Sequence, residues 1–497
     1  MLDYHLVENL MTPAADDAMA QTVNVRSYSN DQIADLMLQR GTMLTKADIL
    51  AVQTKQMKTS IVYAIAGLGI AAGASAAKPN VILILTDDQG SIDVNCYGAK
   101  DLMTPNMDRL AAEGVRFTQF YTGSAISSPS RACILTGMTP QKAGLPTNTS
   151  STKGKPGMPE ARITIAEVLK KAGYTTAHVG KWHVGYSPET MPLGQGFDYS
   201  FGHMGGCIDN YSHFFYWDGP NRHDLWENGT EIYQDGKYFP DLMVDKATSF
   251  IKQHAKEPFF LYLAFNAPHY PLQPAKKWRD HYSDLPSPRK EYAGFVSSTD
   301  ERIGTILDFL DTQNLRDNTI VIFLSDHGHS YEERTGGSGG NSGPYRGGKF
   351  SLFEGGIRVP AIISWKGHIP ENQVCDKLCL SMDILPTIAD LCQTNIPQDV
   401  EGKSIKTVIY NGKDIHRDDV IRWQVGKQWA VRKGDWKLIG NPVDPSPGKH
   451  DLSAPNNKLY LSNLNTDVSE KENLAAKYPD ITKELIQLYQ KWEYAIE

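Results

Sequence analysis

The sequence has little of what marks three common classes of protein. Its 497 residues include six cysteines, at irregular spacings that match no zinc-binding pattern. Positive charge is not in excess: 50 lysines and arginines face 57 aspartates and glutamates, which gives a formal net charge of −7. Nucleic-acid-binding domains usually carry a basic excess, so we expect no nucleic-acid partner. No apolar run reaches the about 20 residues of a membrane-spanning helix, so we do not expect an integral membrane protein.

The remaining composition is that of an ordinary globular protein. Hydrophobic residues make up 40% of the chain and charged residues 22%. A domain usually holds about 100–200 residues, so the length allows two or three domains. A chain of this size can bury a large core without disulfide or metal crosslinks.

A targeting signal is predicted inside the chain, at residues 57–77. Met57-Lys58 is followed by an apolar run, 61–72, and then by small residues at 74–77. This order is typical of a secretory signal peptide, although a buried Ala/Gly-rich helix would also fit. We therefore expect a mature protein that begins near Lys78 and is periplasmic or secreted. All six cysteines lie in that part, where disulfides or buried thiols are both compatible with the sequence.

The segment before it, residues 1–56, is polar and has no cluster of chemically active residues. Its stretches 2–7 and 20–26 weakly resemble the start of bacterial HU-like DNA-binding proteins. A signal peptide does not normally follow 56 other residues. We interpret 1–56 as a wrongly chosen start codon or a fusion artefact without a role in function.

Hydrophobic periodicity predicts an α/β fold in the mature chain. Four buried strands are predicted, at 81–85, 175–179, 259–263 and 319–324. Four helices are predicted between or beside them, at 104–114, 164–173, 241–255 and 292–310. Strands that alternate with helices indicate a doubly wound sheet, whose functional site lies beyond the carboxyl ends of its strands.

The pattern changes at about residue 397. Short alternating strands are predicted at 431–432, 436–438 and 458–461, followed by a terminal helix at 479–495. We expect a catalytic domain over 78–396 and a smaller α+β subdomain over 397–497.

One short motif is specific enough to indicate a family. Ser127-Ser128-Pro129-Ser130-Arg131 is followed by Thr136-Gly137. By itself a serine-rich turn before a helix is only a helix cap. The complete spacing resembles the signature of the type I sulfatases, which belong to the alkaline phosphatase superfamily. The resemblance implies an alkaline-phosphatase-like mixed sheet flanked by helices.

Further motifs of the same family follow in order along the mature chain. They occupy 80–90, 180–185, 196–198, 266–269, 325–328, 346–349 and 353–360. The resemblance therefore extends along nearly the whole mature chain.

The resemblance implies a role for each motif residue. Ser127 would be oxidised to formylglycine (3-oxoalanine), and Arg131 would steady this nucleophile. Lys181 and Lys349 would hold sulfate oxygens. His183 would bond the formylglycine hydrate, and His269 would donate a proton to the departing sugar oxygen. A serine at the modified position implies an anaerobic sulfatase-maturing enzyme as partner.

The acids at the strand ends suit a metal ion. Asp87, Asp88 and Asp326 offer hard oxygen ligands of the kind that Ca²⁺ prefers. The resemblance adds Ser127 and His327 to the ligands, although many family members have asparagine in place of His327. An imidazole is a softer ligand than an amide oxygen, so Mg²⁺ or Mn²⁺ also remains open.

Two further expectations concern side-chain placement. If 181–183 continues a strand, period two puts the side chains of Lys181 and His183 on one face. Residues 210–226 are rich in aromatic and basic side chains, which would form either sugar subsites or a local surface core. The candidate substrate-binding residues of this segment are His213, Trp217, Arg222 and His223.

The sequence thus predicts a sulfuric ester hydrolase acting on a sulfated carbohydrate, such as a glycosaminoglycan, mucin or algal glycan. Its partners would be this saccharide and the maturing enzyme. One alternative is a phosphate or phosphonate monoester hydrolase of the same fold, which the complete serine signature disfavours. Another is an inactive glycan-binding protein, or a DNA-binding protein if residues 1–56 took part in function, although the net charge disfavours DNA binding. The sugar, the hydroxyl that carries the sulfate, endo or exo action and the oligomeric state are not specified by the sequence.

Overall fold

The structure is a computed structural model that describes residues 78–217, 219–415, 420–448, 452 and 457–496. The predicted signal peptide 57–77 and the segment 1–56 lie outside the described residues. Eighteen strands are found in the described part of the chain: β1 (Asn80–Thr86), β2 (Gly114–Phe117), β3 (Phe120–Tyr121), β4 (Thr175–Lys181), β5 (Tyr199–His203), β6 (Phe214–Phe215), β7 (Arg222–His223), β8 (Trp226–Glu227), β9 (Thr230–Glu231), β10 (Phe259–Ala264), β11 (Thr319–Ser325), β12 (Ala361–Ser364), β13 (Gln373–Cys375), β14 (Cys379–Leu380), β15 (Val420–Val425), β16 (Gln428–Lys433), β17 (Trp436–Gly440) and β18 (Leu459–Asn463).

Ten α-helices accompany these strands within the same described ranges: α1 (Pro105–Ala112), α2 (Ser127–Thr136), α3 (Ile165–Lys171), α4 (Phe239–Gln253), α5 (Lys276–His281), α6 (Arg289–Thr312), α7 (Glu354–Ile357), α8 (Ile384–Leu391), α9 (Lys406–Asn411) and α10 (Pro479–Ile496). The predicted start of α3 is confirmed, because Thr164 and Glu167 form the reciprocal hydrogen bonds of a capping box. None of these helices is both long and apolar enough to cross a membrane.

A ten-stranded mixed sheet forms the centre of the fold, in the order β13-β2-β12-β11-β1-β10-β4-β5-β8-β9. The five strands from β11 to β5 are parallel, and β12 and β8 flank them antiparallel. All seven residues of β1 are buried. Alternate residues of β1 enter different cores: Leu83 lies in the cluster on one face and Ile84 in the cluster on the other. The predicted doubly wound sheet flanked by helices is therefore confirmed.

A second, four-stranded antiparallel sheet forms towards the C terminus, in the order β15-β16-β17-β18. Helix α10 covers one face of it, where Leu485 and Tyr489 pack with Val431, Leu438 and Leu461. The predicted smaller C-terminal α+β part is thus present. The boundary predicted at 396/397 stays a prediction.

The cysteines and one glycine complete the comparison with the sequence. All six cysteines lie among the described residues and carry thiols, none of which is in a disulfide. Gly114 was expected to end a helix, but α1 ends at Ala112 and Gly114 begins β2. A Cβ at Gly114 would lie 2.2 Å from the carbonyl oxygen of Ile363, so the close pairing of β2 with β12 requires glycine there.

Candidate active site

The candidate catalytic residues follow four neighbouring parallel strands. The strands β11, β1, β10 and β4 are adjacent in the sheet. Parallel strands bring their carboxyl ends to one edge, and that edge of an α/β sheet is where such sites form. The residues after these strand ends, or at them, are Asp326 and His327 (β11), Asp87 and Asp88 (β1), His269 (β10), and Lys181 and His183 (β4).

Ser127 reaches this edge from a helix. It is the first residue of α2, after Ile126 in an extended conformation, and is 1% exposed. Its Oγ lies 3.0 Å from Nε2 of His327 and 3.5 Å from Nζ of Lys181. The first turn of a helix has unpaired N–H groups and the positive end of the helix dipole, so this position favours an anion.

Four side chains here could hold a metal ion. One ligand atom from each of Asp87, Asp88, Asp326 and His327 lies within 4.8 Å of all the others, and all four residues are buried. The Oδ1 atoms of Asp87 and Asp88 have no hydrogen-bond partner among the described residues. A buried carboxylate oxygen without a partner is costly, and a divalent cation between these atoms would remove that cost. The donor set, three carboxylates and one imidazole, therefore fits a hard divalent ion.

The raised pKa values of Asp87 and Asp88 agree with a cation-binding site. Burial raises the pKa of Asp87 to about 7, with Lys181 opposing and Asp326 adding to the rise. Burial also raises the pKa of Asp88 to about 6, against the opposing charge of Lys349. A bound cation would favour the ionised form of both groups.

Asp326 is held more firmly than the other two acids. It accepts hydrogen bonds from the backbone N–H groups of Asp88 at 3.2 Å and His327 at 3.0 Å, and from the Arg131 guanidinium at 3.0 Å. Burial alone would raise its pKa, but the neighbouring His327, Arg131 and Lys181 outweigh burial and lower it. Arg131, which has no exposed surface, therefore holds the Asp326 carboxylate in place.

Two buried lysines flank the acids. Lys181 Nζ lies 2.6 Å from Asp87 Oδ2, and Lys349 Nζ lies 2.9 Å from Asp88 Oδ2. Glu332 is 3.5 Å from Lys349 and adds a fourth carboxylate to the group. Four carboxylates against Lys181, Lys349 and Arg131 leave an excess of negative charge. A divalent cation reverses the balance, so the charged site would attract an anion.

The expected strand at 181–183 is wrong. Strand β4 ends at Lys181, and His183 has a left-handed backbone with φ of 56°. The turn, and not a shared strand face, sets the direction of its side chain. A Cβ added to Gly206 would lie 3.1 Å from Cε1 of His183, so this imidazole packs directly against a glycine. Burial, then the charge of Lys181, holds the pKa of His183 well below its usual range.

His269 is the second histidine of the site. Its Nδ1 lies 2.8 Å from the carbonyl oxygen of Tyr270 and donates to it, so the neutral ring leaves Nε2 without a proton. This Nε2 lies 3.8 Å from Asp88 Oδ2. Burial and the charges of Lys349 and Lys181 hold the pKa of His269 well below its usual range. Acting as an acid therefore requires that the ring first take up a proton.

The aromatic segment 210–226 lies beside the site. The ring of Trp217 contacts that of Tyr270, with centroids 5.3 Å apart. Arg222 donates to the carbonyl of Ser151 at 2.7 Å. His213 has no exposed surface and His223 is 9% exposed, so neither offers much area to a substrate. Their predicted role in substrate binding stays a prediction.

The structure adds residues that the sequence did not single out. The Tyr270 ring lies 4.0 Å from that of His269, and Arg334 lies 4.2 Å above the Tyr270 ring. Glu332 pairs with Lys349. Tyr270 could have been suspected from its place beside His269. Glu332 and Arg334 reach the site through a loop whose path the sequence does not indicate.

Comparison with known proteins then identifies the family. The sulfatase family matches residues 79–394, a range that includes every candidate catalytic and metal-binding residue. The chain belongs to the sulfatase family. A second family, described as the C-terminal part of N-sulphoglucosamine sulphohydrolase, matches residues 347–487. A DNA-binding domain family matches residues 1–82, a range that overlaps the predicted signal peptide.

Relatives of this sulfatase are found in animals and bacteria. Human N-acetylgalactosamine-6-sulfatase is 31% identical over 474 residues, covering 86% of this chain and 88% of the relative. N-acetylgalactosamine-6-O-sulfatase of Bacteroides thetaiotaomicron is 32% identical, covering 84% and 93%. The crystal structure of Ps i-CgsB in complex with k-i-k-neocarrahexaose matches with a TM-score of 0.75 at 30% identity, covering 84% and 94%. The chain is therefore a sulfuric ester hydrolase.

Proposed function

We propose that this sulfatase removes sulfate from a sulfated carbohydrate. In this proposal Ser127 is matured to formylglycine. A divalent cation, for which Ca²⁺ is the first candidate, is held by Asp87, Asp88, Asp326 and His327. The observation that carries the proposal is the position of Ser127 Oγ at the N-terminus of a helix, 3.0 Å from His327 and 3.5 Å from Lys181.

The charges of this site support an anionic ester as substrate. When bound, the cation would neutralise charge on the sulfate group, and the formylglycine hydrate would supply the attacking hydroxyl. Lys181 and Lys349, which pair with Asp87 and Asp88 in this structure, would turn to sulfate oxygens. Arg131 would keep Asp326 in place by donating a hydrogen bond to its carboxylate. Fixed charges of this kind usually give the largest single contribution to catalysis.

The two histidines are assigned to the two oxygens that change their protonation. His183, next to Gly206, would bond a hydroxyl of the matured Ser127. His269 would protonate the oxygen of the departing sugar. A sugar alkoxide is a poor leaving group, so this proton matters in the transition state.

A carbohydrate substrate is supported by the relatives and by aromatic rings near the candidate active site. Two relatives are named for N-acetylgalactosamine 6-sulfate groups, and one solved neighbour holds an oligosaccharide. Trp217 and Tyr270 place aromatic rings beside His269. Aromatic rings suit the apolar faces of sugars. Glycosaminoglycan, mucin and algal saccharides all remain within this proposal.

The cellular context follows from the same proposal. The segment 57–77 would export the protein to the periplasm or the medium, residues 1–56 would have no part in function, and 78–396 and 397–497 would be its two domains. An anaerobic sulfatase-maturing enzyme would act on Ser127.

A substrate screen tests the proposed function. The chain, produced together with a serine-competent maturing enzyme, is incubated with defined glycosaminoglycan, mucin and algal saccharides, and released sulfate is measured by ion chromatography. We expect release from at least one saccharide class and none with Ser127→Ala. Release of phosphate from phosphate monoesters, without release of sulfate from any saccharide, would overturn the proposal.

A further inference from the structure

A second group of metal-binding side chains lies apart from the residues of the active site. It consists of His213, His223 and Asp235. One ligand atom from each of the three lies within 4.8 Å of the others. His213 directly precedes β6, His223 ends β7, and Asp235 lies in the loop that leads to α4. The strands β6 and β7 pair with each other, so the group joins this hairpin to the loop before α4.

Each histidine has one nitrogen fixed by a hydrogen bond. Nε2 of His213 lies 3.1 Å from the carbonyl oxygen of Lys237, and Nδ1 of His223 lies 3.1 Å from a carboxylate oxygen of Glu231. Both acceptors require that the ring nitrogen carry a proton. In the neutral rings, Nδ1 of His213 and Nε2 of His223 therefore keep their lone pairs.

The two remaining nitrogens are buried and have no hydrogen-bond partner among the described residues. His213 is 0% exposed and His223 is 9% exposed. A buried nitrogen lone pair without a donor is unfavourable, and these two lone pairs are available to bind an ion. The rings stand 84° apart with centroids at 6.2 Å, an arrangement in which they can approach one ion from different directions.

We propose that His213, His223 and Asp235 bind a zinc ion. Two imidazole nitrogens and one carboxylate oxygen are a common zinc donor set, whereas Ca²⁺ prefers oxygen ligands only. The Lys237 carbonyl and the Glu231 carboxylate provide the outer hydrogen bonds that metal-binding histidines usually make. Asp235 is exposed, so a water molecule can take the fourth position.

The zinc ion would stabilise one wall of the active site. Trp217 lies between the two strands of the β6–β7 hairpin. Its ring packs on that of Tyr270, which in turn contacts the ring of His269. Fixing the hairpin to the loop before α4 would hold Trp217 in place. The ion would thus act on substrate positioning without contacting the sulfate group.

Metal analysis of the purified, full-length chain tests the proposal. With Ca²⁺ in excess to fill the catalytic cluster, we expect one zinc per chain by mass spectrometry. Replacing zinc by Co²⁺ should give the visible absorption bands of a four-coordinate cobalt site. His223→Gln should lose both signals. His254→Gln is the matched control, because Nδ1 of His254 also contacts a carboxylate, that of Glu257, but His254 belongs to neither metal-binding group found among the described residues.

Two further variants keep the test independent of folding and of the catalytic cluster. Asp235→Asn changes an exposed side chain and should weaken zinc binding at least about tenfold in a thermal shift titration with ZnCl₂. Asp326→Ala, in the catalytic cluster, should retain the zinc. A wild-type chain that binds no zinc, or zinc that is retained in His223→Gln and lost in Asp326→Ala, would overturn the proposal. Neither result would contradict the proposed release of sulfate, which is measured separately.

Discussion

Ser127, the proposed nucleophile, is almost completely buried. It begins α2, and only 1% of its surface is exposed. If it is the matured residue, co-expression with a serine-competent maturing enzyme should give a Ser127 peptide that is lighter by two hydrogen atoms. The measurement is mass spectrometry of the peptide together with turnover of the same sample. We expect activity to rise in proportion to the modified fraction. Full activity of a chain with unmodified Ser127 would refute the assignment.

The acids at the strand ends permit a second prediction. Asp87→Ala and Asp326→Ala should each remove a metal ligand and leave the sulfate charge poorly neutralised. We expect kcat/KM to fall by at least about 10²-fold, comparable to the loss of a strong electrostatic contact. Kinetics with added Ca²⁺ or chelator measure this effect, and Asp308→Ala, on the surface, serves as the control. Near-normal turnover of either variant in chelator would contradict the metal assignment.

His269 gives a prediction that separates proton donation from binding. A sugar sulfate needs a proton on its leaving oxygen, but an activated aryl sulfate does not. His269→Ala should lower kcat for the sugar sulfate by about 10²–10⁴-fold and affect the aryl sulfate much less. His183→Ala should slow both substrates, because its partner would be the nucleophile. Equal losses on both substrates for His269→Ala would mean that His269 positions sulfate.

The pH dependence of the same reaction follows from the lowered pKa of His269. An acid must be protonated, and the protonated fraction of a group with a lowered pKa falls as the pH rises towards neutrality. We therefore expect kcat/KM for the sugar sulfate to decrease with rising pH from the acidic side. Profiles of wild type and His269→Ala, measured on both substrates, test this. The decrease should be absent from the variant, and its persistence there would assign it to another group.

At the scale of single elements, the turn after β4 decides where His183 lies. A Cβ at position 206 would be 3.1 Å from Cε1 of His183, so Gly206→Ala should shift the imidazole. We expect a clear loss of kcat with a small change in thermal stability. In the His183→Ala background the same substitution should cost little, because the group that it displaces is gone. Additive effects in this double-mutant cycle would show that Gly206 acts elsewhere.

The elements also show how far sequence patterns reach. The ends of long buried strands such as β1 and β11 were predicted to within two residues, because their continuous apolar runs are typical of buried strands. The short β2 and β12 were not predicted, since four residues give too little periodicity. Helix α2 is buried on all sides and has no amphipathic pattern to detect. The acids were found because they follow strand ends. The position of the His183 ring depends on the space left at Gly206, which is distant in sequence.

At the scale of the whole molecule, a buried ionic group links the C-terminal sheet to helix α7. Lys437 on β17 lies 2.8 Å from Glu354 on α7 and 2.9 Å from Glu470, and all three side chains are fully buried. Burial and the nearby Glu354 raise the pKa of Glu470 to about 7, against the opposing charge of Lys437. Burial would also raise the pKa of Glu354, but the positive charges of Lys437 and Arg358 outweigh it and hold this pKa at about 2.

These shifts have opposite consequences for stability. Between about pH 4.5 and pH 7 native Glu470 keeps a proton that the unfolded chain has released, so this group lowers the free energy of unfolding as the pH rises. Glu354 contributes stability above about pH 4.5 that is lost towards pH 2. We expect Glu470→Gln to flatten the decrease between pH 4.5 and 7 in denaturant unfolding experiments. Glu472→Gln, on the surface, is the control and should behave as wild type. An unchanged slope in Glu470→Gln would disprove the linkage.

The burial of Ser127 limits the period during which this residue can be modified. An enzyme cannot reach a side chain that is almost completely buried, so conversion would have to occur while the chain is still unfolded. If Ser127 is the matured residue, oxidation and folding would compete kinetically, and a molecule that folds first would be inactive for as long as it stays folded. The proportion of active molecules in a preparation would record the outcome of that competition during synthesis. Slowing the folding step, by lower temperature or by delayed export, should therefore raise specific activity without any change in sequence.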